Sequence, residues 1–243
     1  TSMAFLGNGD IIVLEIANGT VRRIINDTLQ PNPLLDVNVS KVIGERGMLG
    51  VAVSRNLDGH EYVFLYFTES SVDNGEPIGN RLYRYEFVND KLLNPKLLLD
   101  LPVKPGPYHN GGSLTIGPDN NLYLTIGNLE NVELPENITS KIQNVKNGKE
   151  PDGRGGILRI TQDGKAVGKG IIGSTYPSNL YYAYGIRNSF GIDFDPITGN
   201  LWDTENGPDY GDEINLVKPG FNSGFFKVQG IWENNKGFIG PVL

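Results

Sequence analysis

Tyr108-His109-Asn110-Gly111-Gly112-Ser113-Leu114-Thr115-Ile116-Gly117-Pro118-Asp119-Asn120-Asn121-Leu122-Tyr123-Leu124-Thr125-Ile126-Gly127-Asn128 is the stretch from which the rest of the chain is read. It holds two strand-like apolar runs separated by Pro118-Asp119-Asn120, residues that favour a tight turn. His109, one of two histidines, precedes a Gly-Gly pair that lets main chain approach a ligand closely. An imidazole so placed is either a turn cap or a proton acceptor, and the residues alone leave both readings open.

The pattern of this stretch recurs on both sides of it. Asn18-Gly19 turns residues 11–15 into 20–25 as a hairpin, and residues 34–39 read as a further short strand. Residues 61–68 and 80–88 read as strands, the second with mixed faces that suit a partly exposed outer strand, and residues 97–101 form a short apolar run. Residues 129–153 are polar and Asn-rich, with room for one helical turn at most; loops of that length are often functional. Residues 155–160 read as a strand, and residues 182–194 open a further unit that continues through 200–205 and 213–217. Turns near 9, 59, 120 and 199, each followed by a partner strand near 21, 82, 157 and 214, mark four units of strand, turn, strand, loop, strand. Short antiparallel strands repeated in this way predict propeller blades, with a long-looped sandwich as the competitor.

Composition narrows the function. The 243 residues suffice for a sizeable core, and the net charge of -7 from scattered acidic residues argues against a nucleic-acid or anionic-membrane surface. The chain has no cysteine, which excludes disulfides, thiolate metal sites and cysteine nucleophiles, and two histidines do not make a His-rich zinc site. A metal here would be a hard cation held by oxygen. No apolar run has the length of a membrane span. Sequons stand at Asn18, Asn26, Asn38 and Asn137, and Thr1-Ser2-Met3-Ala4-Phe5-Leu6 reads as an entry into the middle of a domain.

Four ordered stretches carry a resemblance: Glu45-Arg46-Gly47-Met48-Leu49-Gly50, residues 108–128, Gly185-Ile186-Arg187-Asn188, and Glu205-Asn206-Gly207-Pro208 through Asp212-Glu213-Ile214-Asn215. By them the chain resembles the glucose/sorbosone dehydrogenase family, which includes the soluble quinoprotein glucose dehydrogenases and the aldose sugar dehydrogenases. The resemblance implies an all-β, six-bladed β-propeller of the soluble quinoprotein glucose dehydrogenase type, present here as about four blades. Residues 1–243 are then one incomplete propeller domain, with the last blades absent.

The resemblance also implies roles. His109 would take the proton from a sugar C1 hydroxyl while hydride passes to pyrroloquinoline quinone (PQQ). Asn128 stands where the glucose enzymes carry an aspartate that supports this histidine; an amide orients the ring but supplies no charge. Tyr108 also replaces an aspartate and would shape the sugar subsite, and Glu45 stands where a glutamine touches the reaction site. Arg187 and Asn188 would meet the quinone's carbonyl oxygens. Gly207 and Pro208 resemble the turn whose main-chain carbonyls hold the Ca2+ that binds the quinone, and Asp209 adds local negative charge. Asp212 and Glu213 resemble part of a second calcium site, from which a tyrosine ligand is replaced by Ser223.

The expected function is PQQ-dependent oxidation of the C1 hydroxyl of aldose sugars to lactones, with electrons passed to an external acceptor. The lysine and two arginines that clamp the quinone's carboxylates in the family lie in its last blades, so the isolated 243 residues are expected to be inactive. No nucleic-acid partner or membrane span is expected, a homodimer is compatible with the reading, and the location implied is extracytoplasmic. The alternative is a non-catalytic propeller serving as a ligand- or protein-binding scaffold.

Overall fold

The computed structural model describes residues 2–40, 44–55, 61–129, 140–208 and 210–230. Its chain divides into two compact units, Thr1–Val103 and Lys104–Leu243. Both are built from antiparallel sheets, and the helical turns among the described residues are short 3-10 segments, Lys141–Gln143 and Ser178–Leu180. No helix among the described residues is long and apolar enough to cross a membrane.

The first unit holds two sheets. Strands β1 (Met3–Gly7), β2 (Asp10–Glu15), β3 (Thr20–Ile25) and β4 (Thr28–Leu29) run in sequence order, with β5 (Leu35–Asp36) pairing on β3. The β2–β3 hairpin depends on Gly19: its φ is +67°, and a Cβ there would stand 2.0 Å from the Val37 carbonyl oxygen. Strands β6 (Met48–Arg55), β7 (Glu61–Ser70), β8 (Pro77–Val88) and β9 (Lys91–Leu101) form the second sheet, again as a meander. Leu6, Ile12, Leu14 and Val21 of the first sheet pack with Met48, Val63, Leu65 and Phe67 of the second in one buried core.

The second unit repeats the plan. Strands β10 (Leu114–Ile116), β11 (Leu122–Ile126), β12 (Gly156–Ile160) and β13 (Tyr181–Tyr184) form an antiparallel meander. Strand β17 (Phe221–Asn222) joins its outer edge in parallel, Ala183 opposite Phe221. Strands β14 (Ser189–Phe194), β15 (Leu201–Glu205) and β16 (Glu213–Val217) make the last sheet. Tyr123, Ile157, Ala183 and Ile186 pack against Ile192, Leu201 and Val217 in the core between these two sheets.

Several boundaries differ from the sequence reading. The partner strands near 21, 82, 157 and 214 are each the third strand of a sheet. Tyr182 to Tyr184, read as opening the fourth unit, instead closes the third sheet, because Gly185 at φ +70° breaks the strand before Arg187. The strand expected over 34–39 shrinks to Leu35–Asp36, because Val39 and Ser40 leave β3 to bond Glu69 and Thr68 of β7. Strand β9 extends well beyond the apolar run at 97–101, since it pairs with β8 along its exposed, charged half. The turn at 56–59, residues 130–139 of the long loop with the Asn137 sequon, and Asp209 lie outside the described residues.

Leu124 is fully buried in the middle strand-pair of the third sheet. Leu124→Ala should therefore cost about 2–5 kcal/mol in denaturant unfolding. Ile197→Ala, at a turn residue 92% exposed, should stay within about 0.5 kcal/mol. Equal midpoints for the two variants would contradict this core.

Candidate active site

The meander topology decides which loops meet. In an antiparallel sheet, the segments before β10, after β11 and after β13 all emerge at one end, and the segments before β14 and after β15 emerge together. These segments carry His109, Asn128, Arg187-Asn188 and Asn206-Gly207, which are distant in sequence and adjacent in the second unit.

His109 is buried, 7% exposed, and holds φ at +60°, a left-handed conformation that a non-glycine residue keeps only where its surroundings impose it. Its Nδ1 lies 2.6 Å from Asn128 Oδ1. An amide oxygen only accepts, so this contact sets the neutral ring as the Nδ1–H tautomer and makes Nε2 the lone-pair nitrogen. Asn128 is itself fixed: its main-chain N–H donates to the Arg187 carbonyl at 3.0 Å. Gly127 permits this approach, since a Cβ there would stand 2.5 Å from the His109 carbonyl oxygen and 2.6 Å from that of Arg187. The glycine pair after His109 serves the same end. Gly111 sits against the Thr125–Ile126 main chain, and the Gly112 N–H donates to the Thr125 carbonyl at 2.9 Å.

Arg187 reaches the next loop in two ways. Its main-chain N–H donates to Glu205 Oε1 at 2.6 Å, and its Nη1 donates to the carbonyls of Asn206 at 3.2 Å and Gly207 at 3.0 Å. Asn188 is buried beside it, and its carbonyl accepts from the Asn206 N–H at 2.9 Å. The Gly207 N–H donates to Asp212 Oδ1 at 3.0 Å, which tightens the turn. Arg187, Glu205, Gly207, Glu213, Phe225 and Gln229 contribute to a small open cleft.

A carboxyl cluster lies beneath this turn. Register places Glu205 opposite Ser189 and Glu213, and Asp203 opposite Asn215, on one face of the β14–β15–β16 sheet. The Ser223 hydroxyl donates to Glu205 Oε2 at 2.5 Å, and Asn215 Nδ2 donates to Glu213 Oε2 at 3.2 Å. Burial pushes the Asp203 carboxyl up to about 7; the Ser189 hydroxyl beside it opposes this, and Glu213 adds to it. Burial and then Asp203 hold Glu205 well above the usual carboxylate range, against the pull of the Ser223 hydroxyl and the Arg187 N–H. Glu213 is raised by burial too.

The structure thus brings His109, Asn128, Arg187, Asn188 and Gly207 into one connected group. Tyr108 is half-buried next to His109 in the chain, and Pro208 is exposed beyond Gly207. Asp212 and Glu213, adjacent in sequence, part company: Asp212 is exposed and caps the Gly207 turn, while Glu213 joins the buried cluster. Glu45 belongs to the first unit, half-buried in the segment leading into β6. Among the described residues no three His, Cys, Asp or Glu side chains are grouped to hold a metal. Sequence reading left Glu205 and Asp203 without a role. Their signal was the alternation Leu201-Trp202-Asp203-Thr204-Glu205, which sets both carboxylates on the face of buried Leu201.

Repeated antiparallel meanders carrying a polar site on the loops at one sheet end define a β-propeller protein, four blades of which are present here. The model of the Glucose / Sorbosone dehydrogenase family matches residues 1–237, and the chain belongs to that family. It is 32% identical to the uncharacterized protein slr1608 of Synechocystis over 92% of this chain and 55% of that protein. It is 29% identical to quinoprotein glucose dehydrogenase B of Acinetobacter calcoaceticus over 95% of this chain and 50% of that one. The PQQ-bound form of aldose sugar dehydrogenase from Streptomyces coelicolor superposes with a TM-score of 0.78 at 28% identity, covering 99% of this chain and 66% of that one. The chain spans about half the length of the curated relatives it matches.

Asp203 gives the stability a pH slope. Its folded-state pKa is raised from 3.8 to about 7, so between those values the folded chain holds a proton that the unfolded chain has released. The contribution is complete below the lower value and is lost as pH rises through the upper one, with a slope approaching about 1.4 kcal/mol per pH unit. Tm should fall from pH 5 to pH 8, and Asp203→Asn should flatten that fall. An unchanged slope in the variant would show that Asp203 is not a buried neutral acid.

Proposed function

We propose that the protein to which this chain belongs is a PQQ-dependent sugar dehydrogenase that oxidises the C1 hydroxyl of aldoses to lactones and passes electrons to an external acceptor. The observation that carries the reading is the His109–Asn128 contact beside Arg187, which defines one imidazole nitrogen as acceptor within a loop cluster that also presents a guanidinium and main-chain carbonyls.

The cluster suits the implied groups. The Asn206 and Gly207 carbonyls already converge on a cation, the Arg187 guanidinium, and carbonyl oxygens are the donors that a hard divalent ion prefers. Gly207 and Pro208 would hold calcium through their carbonyls, and Arg187 and Asn188 would meet the quinone. The quinone, when bound, supplies the two-electron acceptor for the hydride leaving C1.

The chain's own residues do the rest. His109 Nε2 takes the hydroxyl proton as C1 is oxidised, and the ring becomes an imidazolium. Asn128 Oδ1 keeps the Nδ1–H in place throughout, so the ring cannot rotate out of register. An amide stabilises the imidazolium less than a carboxylate does, so proton removal is less strongly supported than it would be by an aspartate. The extracytoplasmic location rests on the resemblance to the quinone enzymes alone.

A dye-reduction assay on the full-length protein with several aldoses, with and without PQQ and calcium, tests the reading. Turnover should require both additions, His109→Ala should lower the rate about 10²- to 10⁴-fold, and Asn128→Asp should raise it. No quinone-dependent turnover with any aldose would favour the scaffold reading instead. The metal has a separate test without quinone: Arg187→Gln removes the resident cation, so calcium affinity by calorimetry should rise about tenfold. Absence of calcium binding in both proteins would remove the metal from the proposal.

A further inference from the structure

Glu205 has no role in the proposed reaction as derived so far, yet it is 6% exposed and lies at the root of the loop cluster. Its Oε1 accepts the Arg187 main-chain N–H at 2.6 Å. The carbonyl of the same Arg187 accepts the Asn128 N–H at 3.0 Å, and Asn128 Oδ1 takes the His109 Nδ1–H at 2.6 Å. An unbroken series of hydrogen bonds therefore runs from the Glu205 carboxyl to the imidazole. Ser223 fixes the other carboxyl oxygen from the opposite side at 2.5 Å, so the side chain does not swing.

We propose that Glu205 is a positioning residue that sets the tautomer and orientation of His109 through the Arg187 main chain. The segment from Gly185 to Asn188 is a strand break, with Gly185 at φ +70° and no sheet ladder across Arg187; main-chain bonds hold the Ile186 N–H and the Asn188 carbonyl, and the Arg187 N–H is left to a side-chain partner. Glu205 supplies the partner for the Arg187 N–H. Without it the N–H is left unsatisfied, the segment shifts, and the Arg187 carbonyl no longer holds the Asn128 main chain where its side chain meets His109. The same residue precedes Asn206-Gly207, so one carboxyl ties the histidine's support to the carbonyl turn.

The inference rests on the reading of His109 as proton acceptor, but its test needs no cofactor. In the full-length protein with 15N-labelled histidine, the long-range 1H–15N spectrum reports the tautomer of each imidazole, and His109→Gln assigns the His109 signals by their loss. Wild type should show His109 as the Nδ1–H tautomer. Glu205→Ala should convert it to a mixture or to Nε2–H. Glu205→Gln keeps an acceptor oxygen for the Arg187 N–H and offers an N–H to the Ser223 oxygen, so it should restore the wild-type spectrum.

Asp203→Asn alters the same buried cluster without touching Arg187 and should also leave the spectrum unchanged. Where Glu205→Ala does not fold, Glu205→Asp, one methylene shorter, should show the tautomer shift in part. A wild-type spectrum in the folded Glu205→Ala or Glu205→Asp protein would overturn the inference, as would an equal shift in Asp203→Asn, which would mark general loosening. In the loaded enzyme, Glu205→Ala should lower kcat about ten- to a hundredfold with KM little changed. A wild type with the Nδ1–H tautomer but no quinone-dependent turnover would sink the functional reading and leave the positioning role standing.

Discussion

The two hydrogen bonds at the Arg187 main chain are the interaction on which the site depends. One residue between two sheets receives Asn128 on its carbonyl and gives its N–H to Glu205. Neither bond belongs to a sheet ladder, so both need partners placed by tertiary structure. Gly127 makes the first possible by leaving no side chain where the His109 and Arg187 carbonyls crowd together. Burial makes the second worth having, since an N–H left unsatisfied away from water would cost about 1–3 kcal/mol.

The sheets around this point tolerate polar burial because it is organised in rows. Asp203 and Glu205 alternate on β15 with Thr204, and cross-strand register brings Glu213 and Asn215 beside them. Burial raises the proton affinities of Asp203, Glu205 and Glu213, and neighbouring carboxyls add to the rise at Asp203 and Glu205. The core proper lies toward the other sheet end, where Leu201 and Val217 pack with Tyr123 and Ile157. Apolar packing thus fixes the sheets, and the polar rows orient the loops that leave them.

Much of this was legible in the sequence. Residues 61–68 hold a continuous apolar run rich in Phe and Tyr, so their strand could be read directly, and the repeated third strands exposed the blade plan. Where strand formation depends on a partner, local composition misled. Lys91 to Lys96 look like loop and are held in β9 by β8, while Tyr182 to Tyr184 look like the start of a unit and instead finish one. The site divides in the same manner. His109 stood out by residue type and by its place before a glycine pair, and Asn128 by the family resemblance alone. Glu205 did not, because a strand carboxylate normally faces water, and only the fold reveals that this one faces Arg187 and Ser223.

The replacement at 128 gains its meaning from this geometry. An aspartate there would add a further carboxyl to a unit whose last sheet already buries Asp203 and Glu205, the latter joined to it through Arg187. An asparagine fixes the same imidazole nitrogen at hydrogen-bonding distance without adding charge. Orientation and charge are separable services to a histidine, and they have different energetic consequences. Orientation is supplied here by a neutral amide backed by main-chain bonds. The carboxyls beneath the Asn206–Gly207 turn, where the carbonyls meet a guanidinium, are instead held toward their neutral form by burial. Arg187 joins the two, its main-chain carbonyl holding the support of the imidazole and its guanidinium holding the carbonyl turn.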